Sequence, residues 1–283
     1  MYTIHTATFE EVELAVEWAA REGWNPGLSD ARAFFAQDPS GFFMGKLREE
    51  PVSCISCVKY PHDFGFIGFY MVRPEFRGKG YGLQLWNHAM QYGEGCILGL
   101  DGVPAQQDNY ARSGFRLAYR NIRYEYLRGS EPEESPSVPE SFISLKELPF
   151  EDILTFDAFH FGGDRREFLH SWLFLEKSRS LGALKDGVIR GSITLRQCRR
   201  GWKIGPLFAA NALLGEALFL KALEEIPEGT PIYLDVPEPN KKALALAEKY
   251  RMQPVFGTSR MYRGTPPDLP LERIFGVTTF ELG

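Results

Sequence analysis

The run Arg77-Gly78-Lys79-Gly80-Tyr81-Gly82 sets three glycines at alternate positions beside two cations. A helix start leaves backbone N–H groups unpaired and carries partial positive charge. Glycine removes the Cβ atoms that would hold a ligand away from those groups. Such a run is an anion cradle, most often for phosphate. Spacing narrows the kind. A Walker-type loop needs G-x-x-x-x-G-K-S/T, and no Gly-Lys in this chain precedes Ser or Thr. A dinucleotide fingerprint needs G-x-G-x-x-G, which glycines at 78, 80 and 82 do not form. What remains is Arg77-x-x-Gly80-x-Gly82. Two groups able to move protons follow: Asp101, closing the apolar run Cys96-Ile-Leu-Gly-Leu-Asp101, and the phenol of Tyr110 in Tyr110-Ala-Arg-Ser-Gly114-Phe115.

The elements that must position them can be read around them. Phe64 to Val72 is apolar and strand-like, and Leu83, Trp86, Ala89 and Met90 recur on one side of a helix that begins at the last glycine. The loop therefore joins a strand to a helix N-terminus. Gly114 fits the left-handed residue that closes a helix, with Tyr110 one turn before it and Phe115 opening the next strand.

Arg77-x-x-Gly80-x-Gly82 and Tyr110-x-x-x-Gly114-Phe115, in this order and on these elements, resemble the pyrophosphate loop and the acid-bearing helix of the GCN5-related N-acetyltransferases (the GNAT superfamily). The resemblance implies acetyl-CoA as co-substrate and direct transfer of its acetyl group to a small-molecule or peptidyl amine in a ternary complex. Backbone from Arg77, Gly78, Lys79, Gly80, Tyr81 and Gly82 would bind the pyrophosphate. Met71 and Val72 would bind the pantetheine and the acetyl carbonyl, and Tyr110 would protonate the departing thiolate. The Asn that often stands seven residues before this Tyr is Val103 here, which leaves Gln106, Gln107 or Asn109 to supply a polar contact. By analogy Asp101 is the candidate general base, with capping of the following turn as its other role. A water chain or the carboxylate at Gly283 are further candidates. Acceptor recognition is expected from the loop Glu22-Gly-Trp24-Asn25-Pro-Gly-Leu-Ser-Asp30, where Trp24 and Asn25 would form a wall and Asp30, with Asp38, would suit a cationic amine. Trp24 could instead plug the core edge, with Asp30 capping the next helix.

The length of 283 residues suits two units of about 140. A chain that is 44% apolar and 14% aromatic can build two cores. A net charge of −5 without a Lys/Arg stripe speaks against nucleic acid. Acids at Glu10, Glu11, Glu13 and Glu17 do not suit a leader, and no uncharged apolar stretch reaches the ~18 residues of a membrane helix. A cytoplasmic monomer or homodimer is expected, with no metal, since the five histidines are scattered. Cys54-Ile-Ser-Cys57 has redox spacing, but in the strand-like run Pro51 to Tyr60 its two thiols point to opposite faces.

The polar stretch 129–141 reads as a linker between a catalytic unit, 1–128, and a second one, 142–283. The second repeats the order of elements: strands near 142–148, 181–185, 188–197, 202–209, 231–236, 255–262 and 274–280, and helices near 150–161, 165–177, 212–226 and 240–249. The expected fold is α/β (α+β), two tandem units each with a mixed, mostly antiparallel sheet flanked by helices. The second copy is degenerate. Pro206-Leu-Phe-Ala-Ala-Asn-Ala replaces the glycine loop, Ala247 stands at the counterpart of Tyr110, and Arg251-Met252 replaces Gly114-Phe115. This is similar to tandem-GNAT proteins, and the closing runs 258–264 and 275–283 resemble YitH-like bacterial acetyltransferases. In the second half, Phe159-His160-Phe161-Gly-Gly-Asp164 is expected to close the same cavity. Two other readings compete: an acyl-CoA-binding regulatory module without chemistry, and an aminoacyl-tRNA-dependent transferase.

Overall fold

A computed structural model describes residues 1–129, 135–224 and 226–283. The first half runs β1 (Tyr2–Thr6), α1 (Phe9–Arg21), α2 (Asp30–Gln37), β2 (Phe42–Leu47), β3 (Glu50–Tyr60), β4 (Phe64–Val72), α3 (Tyr81–Tyr92), β5 (Ile97–Gly102), α4 (Gln107–Arg112) and β6 (Arg116–Leu127). The second runs β7 (Ser141–Ser144), α5 (Phe150–Phe161), α6 (Arg166–Leu173), β8 (Ser178–Lys185), β9 (Val188–Gln197), β10 (Trp202–Ala209), α7 (Ala212–Leu223), β11 (Pro231–Pro237), α8 (Lys241–Lys249), β12 (Gln253–Arg263) and β13 (Ile274–Gly276). Local chemistry sets the ends of these elements. Thr8 and Glu11 form a reciprocal capping box at the start of α1. On α3 the buried residues Leu85, Trp86 and Ala89 form the face that packs on the sheet.

The two halves share one sheet, in the order β1-β2-β3-β4-β5-β12-β6-β11-β10-β9-β8-β7, with β13 paired to β10. It is mostly antiparallel, with parallel pairs at β4–β5 and β10–β11. The long final strands are exchanged. β12 of the second half lies between β5 and β6, and β6 of the first half pairs with β11. The linker expected at 129–141 falls partly outside the described residues, and the sheet does not part there. The second half has its main apolar cluster around α7 and two smaller ones, under α5–α6 and beside β13. The first half has a cluster on each sheet face, one holding Cys54 and the other Cys57. Those two buried thiols do point apart, as strand geometry requires.

Each half carries the same defect in its sheet. The parallel pairing of β4 with β5 runs from Phe64↔Ile97 to Ile67↔Leu100 and then stops. Just beyond, β4 bulges between Gly68 and Met71, with Phe69 at φ 50°. The bulge turns β4 away from β5 and opens a cleft. In the second half, β10 and β11 part in the same way after Ile204↔Leu234, and β10 shifts register between Ile204 and Leu207.

Candidate active site

The gap between β4 and β5 is a cleft of about 560 Å³. At one end lies the glycine loop. Gly78 (φ 75°) and Gly80 (φ 81°) take backbone conformations that favour glycine, and a Cβ on either would meet nothing within 4 Å. Gly80 is the N-cap of α3 and no side chain caps that helix. From Gly78 to Leu83 no backbone N–H has an acceptor among the described residues, the first bond of the helix being Gln84 N–H to Gly80 O. Six donors are thus unpaired at the start of a helix of twelve residues, and five of the six residues, all but Lys79, line the cleft. This fits a pyrophosphate.

Arg77 reaches across that mouth, its Nη2 donating to Glu22 (2.6 Å) and its Nε to Val72 O (2.8 Å). Lys79 points away: its Nζ donates to Glu75 O, and it does not line the cleft. The wall of the cleft is β4. Arg73 N–H donates to Val52 O, so this pair is a hydrogen-bonded one and the neighbouring pair Val72–Ser53 is not. Val72 therefore directs its N–H and C=O away from β3, to the side that β5 has left. Met71 also lines this wall.

Tyr110 lines the opposite side. Its ring rests on Trp86, with centroids 5.6 Å apart, and lies where a Cβ on Gly102 would stand. Its hydroxyl has no hydrogen-bond partner among the described residues. Burial, with Tyr70 adding, pushes its pKa up to about 12, so it stays a proton donor through neutral pH.

Asp101 also lines the cleft, but its carboxylate is engaged. It accepts from Asn121 Nδ2 (2.8 Å), Thr258 Oγ1 (3.2 Å) and Arg260 Nη2 (2.6 Å), and the Asp101 side chain has no exposed surface. These three bonds tie the carboxylate to β6 and β12. Its partners come from the exchanged strands, so the geometry makes it a strut between the halves.

Five other expectations are corrected by position. Asp30 does not face the cleft: it is 1% exposed, ion-paired with Arg196 and accepting from Gly27 N–H. Asn25 exchanges hydrogen bonds with the backbone of Arg200, docking its loop on the second half. Asn109, exposed, bonds to Gln106 and Arg112. Asp38 accepts from Tyr92 and Lys59 N–H. Trp24 does line the cleft, half-buried, and its carbonyl accepts from Arg123 (2.6 Å) and Lys203 (3.2 Å). The segment 159–164 does not close this cavity. His160 stacks on Phe208 and, with Phe161 and Gly283, borders a separate small pocket.

Sequence reasoning missed the second half's contribution to the cleft: Phe256, Thr258, Phe280 and Glu281. Arg123 organises it. Its guanidinium pairs with Asp235, donates to Trp24 O and lies over the rings of Phe280 (4.9 Å) and Phe256 (5.6 Å). The available signal was a lone acid in an apolar run, Phe275 to Leu282.

Comparison with known proteins agrees with this geometry. Residues 1–115 match the model of the acetyltransferase (GNAT) family, and residues 153–276 match that of an acetyltransferase (GNAT) domain. Over all 283 residues the chain is 32% identical to the holothin acyltransferase of Pseudoalteromonas sp. (strain SANK 73390), covering 95% of that protein. The chain belongs to the GNAT acetyltransferase family, with one copy of the fold in each half. In its activity it is an acyltransferase. Two solved structures share its fold. A candidate acetyltransferase from Pyrococcus horikoshii superposes with a TM-score of 0.82 at 24% identity, covering 100% of this chain and 96% of that one. A tandem GNAT protein from the clavulanic acid biosynthesis pathway gives 0.65 at 13% identity, covering 95% and 100%. The GNAT fold generally uses acetyl-CoA, which the unpaired loop donors suit. Among the described residues no group of three His, Cys, Asp or Glu could hold a metal, and no helix is long and apolar enough to cross a membrane.

Proposed function

We propose that this protein transfers an acetyl group from acetyl-CoA to an amine, by direct attack while both substrates occupy the first half's cleft. The observation that carries this reading is the row of unpaired N–H groups from Gly78 to Leu83, opening on the cleft that also holds the Val72 backbone and the Tyr110 hydroxyl. The loop donors would bind the pyrophosphate. The Val72 N–H would polarise the thioester carbonyl and receive charge as it develops on oxygen, usually a large term in acyl transfer. Tyr110 would give its proton to the departing sulfur. Trp24, Phe256 and Phe280 form an aromatic wall for the acceptor, which favours an amine on a flat body over a polyamine. We retain 1–128 and 142–283 as the two copies, the second shaping the acceptor side rather than reacting.

The test is a CoA-release screen with acetyl-CoA over amino acids, polyamines, aminoglycosides, peptides, tryptamine and holothin, the last because the 32%-identical relative is named for it. Gly80→Trp is assayed in parallel: the position has open space beyond it, so an indole there fills the cradle. The expected result is amine-dependent release that Gly80→Trp abolishes, together with CoA binding. Release that survives this change would remove the loop from the mechanism. CoA binding without release for any amine would favour a regulatory module.

A further inference from the structure

Among the described residues the cleft is lined by three acids, Glu22, Asp101 and Glu281, and by no histidine. Glu22 lies at the mouth, paired with Arg77, and Asp101 is tied to Arg260. Glu281 differs from both. It is 5% exposed, lines the cleft, and its carboxylate has no hydrogen-bond donor among the described residues. On the deeper reading that the protein is an N-acyltransferase, we infer that Glu281, carried into the first half's cleft by the tail of the second, is the base that takes the acceptor amine's proton.

Position supports this first. The tail crosses β4 so closely that a side chain at Gly68 would collide with the carbonyl of Glu281. Tyr60 donates to Leu282 O (2.8 Å), and Leu282 N–H donates to Thr279 Oγ1 (3.0 Å). Both bonds fix the main chain of Leu282, directly after the acid. Glu281 is thus held against β4 at Gly68, the strand whose later residues Met71 and Val72 line the same cleft. A base must sit within reach of the proton it takes, and fixed backbone supplies that precision.

The surroundings raise the proton affinity of this carboxylate. Lys203 on β10, Arg123 on β6, Arg196 on β9 and Asp30 on α2 all face it electrostatically. Burial raises the proton affinity of Glu281, opposed by Lys203 and Arg123 and helped by Asp30, and the result lies above the ordinary carboxylate value. A carboxylate so raised accepts protons better at neutral pH than a solvated one.

The proton balance closes. The neutral amine attacks the thioester carbon, and a C–N bond forms as the nitrogen sheds a proton to Glu281. The C–S bond then breaks and the sulfur takes the Tyr110 proton. Glu281 releases its proton and Tyr110 regains one through water, leaving amide and thiol.

The experiment compares wild type, Glu281→Gln and Glu281→Asp with acetyl-CoA and the fastest amine of the screen, from pH 5 to 9. Calorimetry with CoA and thermal melting accompany each variant. Glu281→Gln is expected to lower kcat by about a hundredfold, with CoA affinity and melting close to wild type. The acidic limb of the wild-type profile, placed above the ordinary carboxylate range, is expected to vanish. Glu281→Asp should recover part of the rate and keep the limb. Unchanged kcat in Glu281→Gln, or persistence of the limb, overturns the assignment while leaving acyl transfer intact. Loss of CoA binding and melting in step with kcat in both variants overturns it in favour of a structural charge. A wild type inactive on every amine overturns the acyl-transfer reading, and this one with it.

Discussion

The two clefts of this molecule begin as the same object and end differently. In each, parallel strands part after four or three pairs, and a helix, α3 or α7, follows the strand that turns away. In the first half the gap stays open, and the helix, led by Gly80, keeps its N–H groups free. In the second, β13 enters the gap and pairs with β10, Val277 N–H bonds Asp235 O, and Asn240 Nδ2 bonds Ile274 O. The helix there is capped by its own Asn211, whose side chain accepts from Leu214 N–H (3.0 Å). Backbone groups at a sheet split or helix start must find partners. The second half satisfies them internally and becomes a scaffold, whereas the first leaves them for a ligand. The same tail does both jobs, plugging one cleft and then lining the other with Phe280 and Glu281.

The pairing that survives in both clefts indicates which residues belong to the scaffold. Asp101 follows the last paired residue of β5, and Asp235 follows that of β11. Each binds an arginine from the other half's exchanged strand, Arg260 (2.6 Å) and Arg123 (2.7 Å). An arrangement repeated in a plugged cleft is architecture. Asp101→Asn and Asp235→Asn should therefore each destabilise the fold, by about 3–5 kcal/mol as for other broken buried pairs, seen as parallel shifts of the urea midpoint. A much smaller loss for Asp101→Asn would break the symmetry and return that carboxylate to the chemistry. For Asp235, burial raises the pKa but Arg123 outweighs it and leaves it lowered. Its contribution is thus complete above the unfolded value and is lost as pH falls through the folded one.

What was readable from sequence was local. The loop from Arg77 to Gly82, the turn from Tyr110 to Phe115 and the strand-borne Cys54 and Cys57 all depend on neighbours within a few residues, so spacing revealed them. Element order in the second half was readable for the same reason, although the strand expected over 274–280 is β13 only to Gly276. Asp30 and Asn25 misled because their partners, Arg196 and Arg200, stand far along the chain and no periodicity connects them. Strand exchange was hidden likewise: β6 and β12 have ordinary strand patterns, whichever neighbour they choose. Glu281 combined both difficulties, an acid in an apolar tail whose destination only tertiary structure gives.

Tyr110 sharpens the comparison at one atom. Phe115 N–H bonds Tyr110 O, and Met252 N–H bonds Ala247 O in the same five-residue turn, so the two positions correspond. Ala247 is sealed in the core of the second half, while Tyr110 brings a hydroxyl to the open cleft. Tyr110→Phe removes that hydroxyl and keeps the ring on Trp86. At saturating acetyl-CoA, kcat should fall about tenfold or more, a modest general-acid effect, with little change in melting. An unchanged kcat would make the ring, and not the hydroxyl, the reason for a tyrosine there.

The smallest expected effect lies at α7, whose N-terminus is already capped. Asn211→Ala removes the cap of α7, which should cost about 1 kcal/mol and appear as a lower urea midpoint. Because β13 still fills the gap, freeing the N–H groups of α7 should not create a second anion site. Calorimetry should give one CoA per chain in both wild type and variant. A second equivalent in the variant would show that Asn211 alone silences the second cleft, and that the plug by the tail is incidental.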